Sequence, residues 1–314
     1  MDRRGINEQP ADDGMTEVER YLFDLRGYVV VKNALTPAQV DDLSERLEQR
    51  RSESRRLSGS DRARYPGGES AAFSAKSLIE WGGAYVDLID LPAIAPYLQT
   101  LLGTNYRLDH DYIKIDSAAH VSKLYLHGGG QGAGGAADLV GPTDGGQCYY
   151  RYNNGKFYNG LVAVGFELDT VPPGAGGFAC VPGSHKVNFA LPADWKVSET
   201  QADLPEFVER VEAEAGDAII FTEACAHGTV PWDGDGERRT IFYKYSPHAV
   251  AWSPCYYNAD GYGKLSERQR GMLMPPSAFG YHEYSRKAWE KVQTDQAKLE
   301  RLRSEQAKPD SADK

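Results

Sequence analysis

The chain is poor in several features that would assign it a class at once. It holds four cysteines, Cys148, Cys180, Cys225 and Cys255, widely spaced and with no CxxC pair. Neither a zinc knot nor a disulfide framework is suggested, and buried reduced thiols are the expectation. Basic charge is in deficit, with 35 Lys and Arg against 45 Asp and Glu and a net charge of −10. That balance argues against nucleic acid or an anionic membrane as the main partner, because both are held by a basic face. No apolar run approaches the roughly 18 residues that span a bilayer. The opening MDRRGINEQPADDGM also lacks the apolar core of a signal peptide. A cytoplasmic protein acting on a small molecule is the expectation, with the oligomeric state open.

What is present points to one domain. With 314 residues and 41% hydrophobic content the chain can bury a sizeable core. Residues 1–14 are polar and are expected to be disordered, as is the tail 307–314. The stretch TEVERYLFDLRGYVVVKNAL predicts a short helix, a glycine stop at Gly27 and a strand from Tyr28 to Val31. Thr36 and Pro37 start a helix predicted to reach about Arg51. Another is expected from about Ala93 to Leu102, ending at Gly103. From there the pattern changes to strands: YRLDHDYIKID, VSKLYLH, NGLVAVGFEL, GGFACVPGSH, GDAIIFTEACAHGTV and RRTIFYKYSP, separated by Gly, Pro and Asp turns. A charged helix is expected at 284–306. Helices first and short strands after predict a mainly β fold with α elements, a jelly-roll barrel with flanking helices. Its core is expected at about 106–246, within a single domain of 15–283.

The glycine-rich segment after His127 contains Gly130-x-Gly132-x-x-Gly135, the spacing of a dinucleotide fingerprint. The context fails. AADLVGPTDGG breaks at Pro142 where a helix should run, the later YYRYNNGK has no acid for a ribose, and no Lys-Ser/Thr follows. The aromatic QCYYRYNNGKFYNG beyond it reads either as pocket wall or lid, or as an ordinary amphipathic strand.

There are seven histidines, and the useful question is which could converge. His127 ends one predicted strand and His227 lies in another, and facing strands of a barrel can share one metal. His110 sits on the strand preceding His127. His185, in VPGSHK, reads as a turn residue, while His120, His248 and His282 carry no pattern.

The order LHGG, then GFELDTVPPGAGGFACVPGSHK, then AGDAIIFTEACAHGTV and ERRTIFYKY resembles the phytanoyl-CoA dioxygenase family of iron(II)/2-oxoglutarate enzymes, over roughly residues 20 to 250. The resemblance implies a double-stranded β-helix with Fe(II) at its mouth, and 2-oxoglutarate and O2 as cosubstrates. It carries the first ligand histidine onto His127 and the distal one onto His227, neutral imidazoles being good Fe(II) ligands. The family's arginine for the 2-oxoglutarate carboxylate, eleven residues after the distal histidine, falls on Arg238, whose planar fork suits a carboxylate. Arg239 points to the other face of the strand. His110 lies near the place of a further 2-oxoglutarate contact.

One position departs from the family. Its metal motif is His-x-Asp/Glu, in which residues i and i+2 of a strand face the same way. Here position 129 is Gly129. The resemblance then implies radical halogenation, in which chloride takes the vacant place and restores both the charge and the ligand. This is the favoured expectation. The alternatives are hydroxylation, with the carboxylate supplied by Glu223, Asp138 or Asp144 or with the two histidines sufficing, and a binding barrel without catalysis.

Overall fold

A computed structural model describes residues 14–56, 74–76, 78–118, 123–128, 148–189, 191–255, 257–278, 280 and 283–306. The expected disordered stretches lie outside these residues apart from Gly14, and so do Gly129, Asp138, Asp144, His120 and His282.

The chain opens with α1 (Glu17–Arg26), β1 (Tyr28–Val31), α2 (Pro37–Arg56), β2 (Ser74–Lys76), α3 (Ala84–Asp87) and α4 (Ala95–Leu102). Strands follow: β3 (Tyr106–Ser117), β4 (Leu124–Tyr125), β5 (Tyr150–Asn153), β6 (Lys156–Asn159), β7 (Val162–Glu167), β8 (Gly177–Cys180), β9 (Val197–Ser198), β10 (Glu209–Arg210), β11 (Ala218–Thr222), β12 (His227–Val230) and β13 (Glu237–Pro247). Two helices, α5 (Glu267–Met272) and α6 (Glu283–Gln306), close it.

Local chemistry accounts for the boundaries of the first elements. Thr16 and Glu19 form a reciprocal capping box at the start of α1, and Gly27 ends it in the left-handed region at φ 87°. The Val-rich run after Gly27 then forms β1, where branched side chains pack well on a pleated surface.

A six-stranded antiparallel sheet has the order β1-β11-β7-β13-β3-β2, and a second sheet has the order β10-β8-β12. The sheet thus draws two strands, β1 and β2, from outside the expected core of 106–246. Alternation sorts the side chains of the large sheet onto two faces. Ile241, Tyr243 and Tyr245 of β13, with Val162, Val164 and Phe166 of β7, pack into a core with the helical residues Phe23, Leu98 and Leu101. On the opposite face Phe242, Ala163, Ile219 and Phe221 meet Phe178 and Cys180 of the second sheet. The two sheets therefore close over an inner core. Gly165 makes room for Phe242 there, since a Cβ at 165 would stand 3.0 Å from its ring.

β5 and β6 form the hairpin of the aromatic segment. Phe157 turns inward against Phe23 of α1, and Tyr150 bonds to Asp24, while Tyr152 and Tyr158 are exposed. The hairpin is thus packed on the first helix, with its other aromatics outside.

Candidate active site

His127 follows β4 and His227 opens β12, and the two are joined by a backbone bridge in which each N–H donates to the other's carbonyl, at 2.9 and 2.8 Å. Their rings come to 4.3 Å between centroids. The Nδ1 of His127 lies 3.1 Å from the Tyr125 carbonyl and that of His227 lies 2.8 Å from the Cys225 carbonyl. A carbonyl can only accept, so each Nδ1 carries the proton and each Nε2 keeps its lone pair. This is the tautomer a metal-binding imidazole needs, with its ring held by a backbone acceptor. Burial, reinforced by the neighbouring His127, lowers the pKa of His227 to about 3, so its ring is neutral at physiological pH. Phe178 and Phe221 flank it and keep water away.

Two backbone devices hold this pair. The glycine at 128 has φ 94°, and a Cβ there would come within 2.5 Å of the Cys225 carbonyl oxygen and 2.6 Å of that of Glu223. The turn carrying Ser184 braces the other side, where the Ser184 hydroxyl accepts from the Ala226 N–H at 2.7 Å and the Val181 N–H donates to the Ala226 carbonyl at 2.8 Å. The PGSH turn thus supports the strand that presents His227. His185 itself points elsewhere, with Nε2 2.9 Å from the Asp24 carbonyl, under α1.

Glu223 enters the same space. One carboxylate oxygen lies 3.7 Å from Nε2 of His227 and the other 2.7 Å from the ammonium of Lys244. Burial pushes its pKa up, but Lys244, with His227 and His127, outweighs burial and holds it at about 2. The two imidazoles, with Glu223 beside His227, are donor types that suit a divalent cation. Among the described residues no group of three His, Cys, Asp or Glu side chains is placed to hold a metal ion, so as they stand the two imidazoles and Glu223 are not a three-ligand site.

Arg238 does lie on the inner face of β13, and it is fully engaged there. Its Nη1 bonds to Asp116 at 3.1 Å and its Nη2 to Glu167 at 2.5 Å, with all three side chains at most 4% exposed. Thr240 donates a further bond to Glu167. Only the Nε of Arg238 is buried without a partner, against Gly177. As the guanidinium stands, its fork does not fit an incoming carboxylate. Arg239 points outward to Asp169, as strand alternation requires. His110 bonds to Asp109 at 2.7 Å and stacks on Tyr112. Tyr112 in turn stacks on Phe242 and lies under Lys244.

The structure therefore brings His127, His227 and Glu223 together, places Arg238 and His110 on the inner wall, and adds Lys244 and Tyr112, which motif reading passed over. A signal for Lys244 exists in the sequence. Residues 238, 240, 242 and 244 alternate onto one face of ERRTIFYKYSP.

Known proteins are similar to this chain in part of its sequence and in its fold. A curated dioxygenase, lolE1 of Epichloe uncinata, is 33% identical over 90 residues, 29% of this chain and about a third (33%) of the relative's own length. HygX from Streptomyces hygroscopicus, solved with nickel and 2-oxoglutarate bound, superposes with a TM-score of 0.60 at 22% identity, over 80% of this chain and 95% of that one. The carbocyclase SnoK from nogalamycin biosynthesis gives a TM-score of 0.52 at 15% identity, over 75% and 85% of the two chains. These likenesses establish a shared fold. Residues 141–240, a stretch holding both the PGSH turn and His227, match the family model of phytanoyl-CoA dioxygenase (PhyH), and over that stretch the chain is similar to the family.

Proposed function

We propose that this protein is an iron(II)- and 2-oxoglutarate-dependent oxygenase, built on a double-stranded β-helix, that functionalises a C–H bond of a small molecule. The observation that carries the reading is the pair of facing imidazoles, both with Nδ1 on a backbone carbonyl and Nε2 available. His127 and His227 would hold the metal. With 2-oxoglutarate and O2 the metal supplies the oxidising power, and the protein's own part is to hold, orient and keep dry. Phe178, Phe221 and Phe242 supply the dry wall. HygX has been solved with nickel, 2-oxoglutarate and hygromycin B together, which supports a small-molecule substrate for the shared fold.

Within this reading the geometry favours oxygen transfer, with Glu223 as the carboxylate near the metal, because it stands 3.7 Å from Nε2 of His227. Halogenation is the second reading, and Gly129, where the family has a carboxylate, supports it. The test is an anaerobic Fe(II) titration with 2-oxoglutarate, with and without chloride, following the metal-to-ligand charge-transfer band. A band that ignores chloride supports oxygen transfer. A chloride-dependent band, followed by a chlorinated product, supports halogenation. No band in either case removes the iron and 2-oxoglutarate reading.

A further inference from the structure

We infer that Lys244 competes with the metal for Glu223, so that their ion pair keeps the site compensated while the metal is absent and restrains metal affinity when it binds; this rests on the iron and 2-oxoglutarate reading above. The turn that carries Glu223 is fixed by its backbone. The Glu223 N–H donates to the Leu161 carbonyl at 3.0 Å, and the Cys225 N–H closes back on the Thr222 carbonyl at 3.0 Å. Only the side chain of Glu223 is left to change partners.

Its carboxylate is buried and incompletely bonded. Oε1 lies 2.7 Å from the ammonium of Lys244 yet has no hydrogen-bond partner, so charge alone holds that contact. Oε2 lies 3.7 Å from Nε2 of His227, beyond hydrogen-bonding distance, and that nitrogen keeps its lone pair. A buried carboxylate in this state is stabilised by whichever cation reaches it. Without metal that cation is Lys244, whose only ion-pair partner among the described residues is Glu223. Both side chains are at most 9% exposed, so water screens the pair poorly.

A divalent metal on the two imidazoles changes the balance. It sets two positive charges against the same carboxylate, and the ammonium becomes a repelling neighbour of the metal. In a buried site that repulsion is large. Lys244 has little room to withdraw, because the Tyr112 ring stands 5.4 Å from its ammonium and is itself stacked on Phe242. Removing the lysine therefore acts in opposite directions on the metal-free fold and on metal affinity. A lysine with a purely structural role would lower the first without raising the second. Lys114, two places along β3 from Tyr112, bonds instead to Asp116 at 3.2 Å and provides a control for loss of a positive charge elsewhere on the sheet.

The experiment measures Ni(II) binding by calorimetry and the metal-free protein by thermal melts. Lys244→Met should melt about 5 °C or more below wild type without metal, because Glu223 is stranded. The same variant should bind Ni(II) about tenfold or more tighter than wild type. Lys244→Arg keeps the charge and should bind Ni(II) within about threefold of wild type, and so should Lys114→Met. If Lys244→Met does not fold without metal, it is purified in Ni(II) and release of the metal to a chelator is timed, with slower release than wild type expected. Affinity that is unchanged or weaker in Lys244→Met, release as fast as wild type, or an equal gain in Lys114→Met overturns this inference alone. A wild type that binds no Ni(II) overturns the reading beneath it as well.

Discussion

The carboxylate of Glu223 stands between the Nε2 of His227, at 3.7 Å, and the Nζ of Lys244, at 2.7 Å. An acid four residues before a candidate metal ligand thus turns toward it from the loop between two strands. If it serves the metal, Glu223→Gln should weaken metal affinity by about tenfold or more, the range seen when a supporting metal-site group is lost. Calorimetric titration with Mn(II) or Ni(II) checks this. Unchanged affinity, together with chloride binding at the metal, would move the assignment to the halide reading.

His127→Ala and His227→Ala should each abolish tight metal binding, whereas His185→Ala should leave it within about threefold, because its ring bonds to the Asp24 carbonyl. A His185 variant that loses the metal would show that the distal ligand had been misplaced.

Arg238 and Arg239 should differ sharply in stability. Arg238→Ala strands Glu167 and Asp116 in the interior and should cost about 3–5 kcal/mol. Arg239→Ala loses a partly exposed pair with Asp169 and should cost about 1 kcal/mol. Urea denaturation of both variants measures the difference, and equal losses would contradict the buried cluster.

The metal-free protein should lose stability as pH falls from neutral. His227 is held near pKa 3, below its usual 6.5, so the unfolded chain gains a proton there that the folded chain refuses. Glu223 is held near 2, below its usual 4.5, and adds a second such proton at lower pH. The folded state binds fewer protons across that window. Stability should therefore start to fall near pH 6.5 and fall more steeply below about 4.5, by roughly 1.4 kcal/mol per pH unit for each proton. His227→Gln should remove the upper part of the decline in thermal melts, and a wild-type curve flat between pH 5 and 7 would show that His227 is not held neutral by the fold.

Gly128→Ala should couple stability to the site. The added methyl would meet two carbonyl oxygens, and the backbone would have to leave φ 94°. A loss of about 2 kcal/mol or more is expected, with weaker metal binding as His127 shifts. Metal affinity equal to wild type in a folded variant would show that Gly128 does not position His127.

Much of this was legible in the chain. The capping pair Thr16 and Glu19 and the stop at Gly27 are local signals, and α1 begins and ends on them. The motif order and its resemblance to a known family put His127 with His227, and the backbone bridge between them brings the two together. The partners of Arg238 were not legible. Glu167 and Asp116 lie 71 and 122 positions from it, and only the register of β13 against β7 and β3 brings them together. Glu223 could be named as a candidate from its distance to His227, but its hold on Lys244 depends on two strands that are not neighbours in sequence. Strand alternation does put Lys244 on the face of Arg238, so that residue was readable in principle.

β1 pairs with β11 along its whole length, Tyr28 with Phe221 through Val31 with Ala218, and β11 ends one residue before Glu223. During synthesis the chain emerges from its N-terminus, so the valines of β1 wait for roughly 190 residues before their partner strand exists. Loops of that length close slowly, and strands that pair across them form late. The turn bearing Glu223 and His227 is thus locked between the first strand made and some of the last. Helices such as α1 can form early on local signals, but the chemistry of the site waits for the topology to close.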